Sequence, residues 1–348
     1  MPALSPEQAS QFSLTLWQRA GDSLVEFTQA CNIAHASNLA FLEAPTDTHL
    51  QAAQERWQSL HEQWLGTAPV TALADTSPDL FAELSDTLAA IDAYPIAAGY
   101  LDAVQGYPFS GIVNDITLDI NRTNLREQHG LTSSYEASLG LHVLEFLLFG
   151  EQGERQAGDY TKATSGTDSL DAHDRPENRR RELLRLVSRL LCDDASELAQ
   201  RWQSPGSESA RIYNRLPPDS RLQLWRRALV HAFASTEVSA SHCEFASNCP
   251  TNPLLAEGVR RFIQGSNNGA AIPLIGDINR LSEQLHTLAQ LPLTEPTDAE
   301  QTEQALLEAI IDTLSADPQT PGQTPLSDSS SRQSPDEPGD PAPDPAAE

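Results

Sequence analysis

Between Leu139 and Phe149 only two side chains can ionise, His142 and Glu145, and every other residue except Gly140 is apolar. At i and i+3 of a helix they share one face. A helix that is apolar all round is buried in a larger protein, and this one is too short to span a bilayer. The sequence therefore places an imidazole and a carboxylate inside a core, a costly arrangement unless they are paired or bind something. Three uses suit them. They can be two ligands of a metal in a bundle core, iron favoured and zinc possible, completed by carboxylates such as Asp102, Asp115, Glu237 or Glu244. Glu145 can orient His142 as a general base, with Ser138 one turn earlier on the same face. Or the pair is a satisfied structural knot.

The element that must carry them is predicted to run from Ser133 to Gly150. Ser133 and Glu136 have the spacing of a capping box, and Gly150 stands where a helix commonly stops. Gly140 removes a side chain beside the pair, so that another backbone or a ligand can approach closely.

Around this stretch the pattern is helical. Ser5-Pro6-Glu7-Gln8 starts a long helix with Phe12, Leu16, Leu24, Phe27 and Cys31 at helical spacing, which Pro45 ends. A second helix over Thr48 to Leu65 carries Leu50, Ala53, Trp57, Leu60 and Trp64 in steps of 3 and 4. Ser77-Pro78-Asp79 opens a third. Ala97 to Gly130 is an irregular, aromatic-rich connection, and Glu151 to Arg175 a polar surface loop. Further helices are predicted over Pro176 to Trp202, from Pro218 through Phe233 toward His242, over Pro253 to Gln264, over Ile275 to Leu291, and through Leu306, Ile310 and Leu314. Arg179-Arg180-Arg181 reads as a solvated face. The fold class is all-α, two packed helical-bundle halves over 5–160 and 174–315. The acidic, Pro-rich tail 316–348 has too few apolar side chains to offset its ordering entropy and is expected to be disordered.

The formal charge is −27, from 49 acidic against 22 basic residues, with Lys162 the only lysine. Such a balance argues against nucleic acid as a partner. No apolar run is long enough for a transmembrane helix, and the N-terminus has neither the basic nor the apolar region of a secretory signal. Of four cysteines, Cys243 and Cys249 could close a small disulfide loop or stay free, while Cys31 and Cys192 read as small core residues. No zincin H-E-x-x-H, nucleophile elbow, P-loop or dinucleotide fingerprint occurs.

The run Gly140-Leu141-His142-Val143-Leu144-Glu145, followed by an apolar stretch and Gly150, resembles the G-x-H-x-x-E signature of the imelysin family. Residues 41–64, with Pro45 and Trp57, are similar to that family's first helical pair. Tyr107-Pro108-Phe109-Ser110-Gly111-Ile112 is similar to its connecting segment, and Glu244 to Asn248 with Val259 to Gly265 to a segment of its second half. The resemblance covers roughly residues 5–315. It implies a bacterial, iron-regulated protein of the periplasm or cell envelope, grouped with a metallopeptidase family, with Gly140, His142 and Glu145 at the matched positions. The leading expectation is a metal-binding protein of iron acquisition that holds its metal through His142 and Glu145 and works with an envelope iron-uptake partner. The alternatives are a metallopeptidase, with Glu145 as ligand or base, and a non-catalytic module that binds a peptide or a partner in its cleft.

Overall fold

A computed structural model describes residues 5–164, 170–234, 243, 245–246, 251–264, 278–289 and 296–315. Among them every regular element is a helix, apart from an isolated bridge between Val104 and Tyr107. In chain order these are α1 (Pro6–Glu43), α2 (Asp47–Leu65), α3 (Ala68–Thr76), α4 (Pro78–Phe81), α5 (Ser85–Ile91), α6 (Ala98–Leu101) and α7 (Arg122–Gln128). Then come α8 (Leu141–Phe149), α9 (Pro176–Gln203), α10 (Glu208–Arg215), α11 (Pro218–Ala234), α12 (Thr251–Gln264), α13 (Ile278–Ala289) and α14 (Pro296–Ser315). The all-α expectation holds. The tail 316–348 and the predicted continuation of α11 toward His242 lie outside the described residues.

α1 is the longest element, and its start is encoded locally. Ser5 and Gln8 exchange a reciprocal capping box, and Pro6 occupies the first turn, where its missing N–H costs nothing. Leu16, Ala20, Leu24, Phe27, Cys31, Ala34 and Phe41 bury one long face, which packs along α2 and α9 and also meets α11 and α12. Cys31 and Cys192 are buried on this seam, as expected, but they are not free core thiols. They form a disulfide between α1 and α9 with 5.4 Å between Cα atoms. Separate helical patterns cannot reveal which two cysteine-bearing faces will meet. Cys243 is also disulfide-bonded; its candidate partner Cys249 lies outside the described residues.

The third predicted helix does open at Ser77, with Pro78 in its first turn, but it is split into α4, a 3-10 turn and α5, and a short helix, α3, precedes it. The arginine cluster at the start of α9 also departs from expectation. Arg179 and Arg180 are buried rather than solvated. Arg179 donates to the carbonyls of Ile112, Val113, Asp115 and Leu118, and so ties down the irregular connection before the signature. Arg180 grips Asp102 with two guanidinium nitrogens, its Nη2 3.0 Å from Asp102 Oδ1. A bidentate fork on a buried carboxylate matches both charge and geometry. Arg181, half-buried, donates to Tyr160 O.

Candidate functional site

The signature helix α8 starts at Leu141, not at Ser133. Ser133 and Glu136 instead close a turn, the Glu136 amide donating to Ser133 O at 3.0 Å. The reason is Gly140. Its φ of 106° lies in the left-handed region, and a Cβ there would stand 2.7 Å from Ile91 O and 2.9 Å from Ala90 O. Only glycine lets the chain turn into α8 while the end of α5 presses on it. The close approach expected at Gly140 is thus made by the backbone of α5. It has a consequence for the chemistry: Asp92, the residue that follows α5, arrives beside His142.

His142 and Glu145 are fully buried, on one face of α8. His142 Nδ1 lies 2.9 Å from Glu145 Oε2, and Nε2 lies 3.1 Å from Asp92 Oδ1. Trp64 Nε1 donates to Asp92 Oδ2 at 2.6 Å. Glu145 Oε1 accepts the backbone N–H groups of Phe245 and Ala246 at 2.8 and 2.9 Å. Aromatic rings enclose the network, with Tyr94 4.9 Å and His61 6.1 Å from the His142 ring, and Trp57 donates to Leu141 O. Burial alone would lower the pKa of His142. Hydrogen bonds to Asp92 and Glu145, and their charges, outweigh it and raise the pKa to about 9. At neutral pH the ligand-free imidazole therefore holds both protons and donates to both carboxylates.

Asp92 is the member of the triad that meets solvent, with 21% of its side chain exposed. It lines a cleft of about 450 Å³ together with Trp64, Phe81, Leu88, Ser85 and Asp75. A buried charged network thus ends at the wall of a cavity large enough for a small molecule.

The other candidates from the sequence fall elsewhere. Asp102 is matched by Arg180 and by Arg155, 3.4 Å away. Asp115 is exposed and caps a turn through Thr117. Ser138 precedes the helix, so it does not share a face with His142; its hydroxyl donates to Leu125 O. Glu237 and Glu244 lie outside the described residues, although the two amides that hold Glu145 directly follow Glu244. Sequence reasoning missed Asp92 and the contact that Trp64 makes with it. Asp92 carries no local signal, and its role depends on how α5 abuts Gly140.

As a metal site the arrangement is asymmetric. Nε2 and Asp92 Oδ1 face each other on the cleft side, one nitrogen and one oxygen donor of the kind that suits iron or zinc. Glu145 is engaged on the far side by three hydrogen bonds, which fits a residue that orients a histidine better than one that ligates. It is equally ill placed as the base of a peptidase, which must reach a metal-bound water. Among the described residues no third histidine, cysteine or carboxylate donor converges on the Asp92–His142 pair; the convergent trio is Asp171, His173 and Asp174, largely exposed on the loop before α9. The pair by itself offers two donors.

The family model Peptidase_M75: Imelysin matches residues 22–239. No curated protein matches the chain. Among solved structures, an imelysin-like protein from Psychrobacter arcticum 273-4 is 16% identical, with a TM-score of 0.60 over 90% of this chain and 94% of that one. A structure described as an iron-regulated protein A precursor from Parabacteroides distasonis ATCC 8503 is 12% identical, with a TM-score of 0.53 over 89% and 94%. At these identities the likeness is one of fold.

Proposed function

The chain belongs to the imelysin family, and from that premise we propose that it serves iron acquisition at the cell envelope by holding a metal, iron favoured, at the Asp92–His142 pair. The observation that carries this reading is the orientation of the triad. His142 presents Nε2 to Asp92 at the cleft wall, while Glu145, fixed by two backbone amides, secures Nδ1 from behind. Glu145 is then a positioning residue: it sets the tautomer and the ring plane of His142. The metal would supply Lewis acidity and a charge that replaces the imidazole proton; binding therefore releases a proton.

The disulfide supports an envelope setting. A buried disulfide between two core helices persists in an oxidising compartment and is rare in a reducing one. Among the described residues no helix is long and apolar enough to cross a membrane. The iron-regulated precursor of the same fold supports iron as the metal.

Titration calorimetry with ferrous iron and zinc, on protein freed of metal, tests the reading. His142→Ala should abolish binding, and Glu145→Gln should weaken it roughly tenfold or more through loss of orientation. His173→Ala, at the exposed trio, should leave the affinity unchanged. Wild-type affinity in His142→Ala would refute the assignment.

A further inference from the structure

Glu145 is held by a segment that is itself covalently closed. The two amides on its Oε1 belong to Phe245 and Ala246, and Cys243, two residues before Phe245, is disulfide-bonded. Cys31 and Cys192 are joined to each other, so Cys249 is the cysteine left to pair with Cys243. The bond then closes a ring of seven residues that contains both donors. Opening so short a ring restores chain entropy and lowers the population of any one arrangement of it by up to about fiftyfold. Part of the grip survives opening, because Phe245 and Ala246 are buried and the Phe245 ring lies 5.1 Å from that of Phe146 on α8. The disulfide therefore sets how tightly Glu145 is held, and Glu145 in turn orients His142.

The two disulfides sit in different surroundings. Cys31 and Cys192 are 1% and 3% exposed on the seam between α1 and α9. Cys243 Sγ instead lies 3.6 Å from His61 Nδ1, and the His61 ring is stacked on Trp57, which fixes its plane. A ring N–H at this sulfur favours its departure as a thiolate when the bond is attacked. That is a feature of a disulfide made to open, and a purely structural staple has no use for it.

We propose that the Cys243 disulfide is a redox latch on the metal site: closed, it keeps Glu145 gripped and the metal held, and opened by a dithiol, it lets the metal go. This rests on the reading that His142 binds the metal with Glu145 behind it. In the opening step a thiolate of the dithiol bonds to Cys249 Sγ, the disulfide breaks, and its electron pair leaves on Cys243 Sγ, to which His61 Nδ1–H donates. The second thiol of the dithiol then displaces Cys249 from the mixed disulfide. Two electrons and two protons end on the two cysteines, and the dithiol departs as a disulfide.

The experiment uses the full chain and ferrous iron, with binding followed by anaerobic calorimetry. Oxidised protein is compared with protein reduced by tris(2-carboxyethyl)phosphine and then freed of it, and with Cys243→Ser/Cys249→Ser, in which the latch is open. During reduction, thiol counting and peptide mapping should find free thiols at Cys243 and Cys249 while Cys31 and Cys192 stay joined. Both open forms should bind iron roughly tenfold more weakly, with an unchanged circular dichroism spectrum, and reoxidation of the reduced wild type should restore the affinity. His61→Phe keeps a ring against Trp57 but has no N–H; it should slow the release of these thiols by dithiothreitol at least about tenfold. The proposal is overturned if the protein reduced at Cys243 binds iron as tightly as the oxidised form, if the two disulfides open only together, or if His61→Phe releases its thiols at the wild-type rate. If iron binds through His142 alike in both states, the latch falls and the metal reading stands. If the oxidised wild type binds no iron, both fall.

Discussion

The buried imidazole ties stability to pH in a way that can be measured. His142 is raised from an ordinary 6.5 to about 9 because the hydrogen bonds and charges of Asp92 and Glu145 exceed the cost of its burial. A tenfold change in proton affinity is worth about 1.4 kcal/mol, so the protonated form stabilises the ligand-free fold by about 3 kcal/mol. The pKa moves upward on folding, so this contribution is fully present below pH 6.5, the value in the unfolded chain, and is lost as pH rises through about 9. Urea unfolding of metal-free protein, with its disulfides intact, should be measured between about pH 6.5 and 10 for the wild type and for His142→Gln. Subtracting one curve from the other removes every titration the two share. The wild type should lose about 3 kcal/mol relative to the variant across that window. Parallel curves, within about 1 kcal/mol, would mean that the imidazole is not held between two carboxylates, and the geometry of the triad would be refuted.

Three further outcomes follow from the same structure. Gly140→Ala combines a left-handed φ with a Cβ 2.7 Å from Ile91 O; it should cost about 3 kcal/mol, read as a drop in the urea midpoint, and a neutral result would contradict the contact with α5. Replacing Cys31 and Cys192 together by alanine opens a loop of sequence separation 161, for which chain entropy gives up to about 5 kcal/mol; a loss below about 1 kcal/mol in equilibrium unfolding would count against the covalent link. Asp102→Ala strands the buried guanidinium of Arg180 and should destabilise by about 3–5 kcal/mol, whereas Asp115→Ala, at an exposed turn, should stay within about 1 kcal/mol on the same assay.

The helices that were legible in the sequence share a property. α1, α2 and α9 carry long apolar faces at helical spacing, and α1 adds a cap that depends on residues a few positions apart. Such information is local, so the sequence states it directly. The Ser133–Glu136 pair shows the limit of local reading. Its spacing suits a cap, but the close approach of α5 to Gly140 moves the helix start down the chain to Leu141.

The helical class, the burial of the signature stretch and the pairing of His142 with Glu145 could all be read from the sequence, because periodicity and an i, i+3 spacing are properties of a single segment. Asp92, the disulfide partner of Cys31, and the roles of Arg179 and Arg180 could not. Each depends on which faces of distant segments meet, and that is decided by packing across the whole chain. It took the assembled fold to turn a helix with two ionisable residues into a triad that opens on a cleft. One backbone contact is responsible: the carbonyls of Ala90 and Ile91 lie so close to Gly140 that no side chain fits between them, and this contact carries Asp92 to the imidazole.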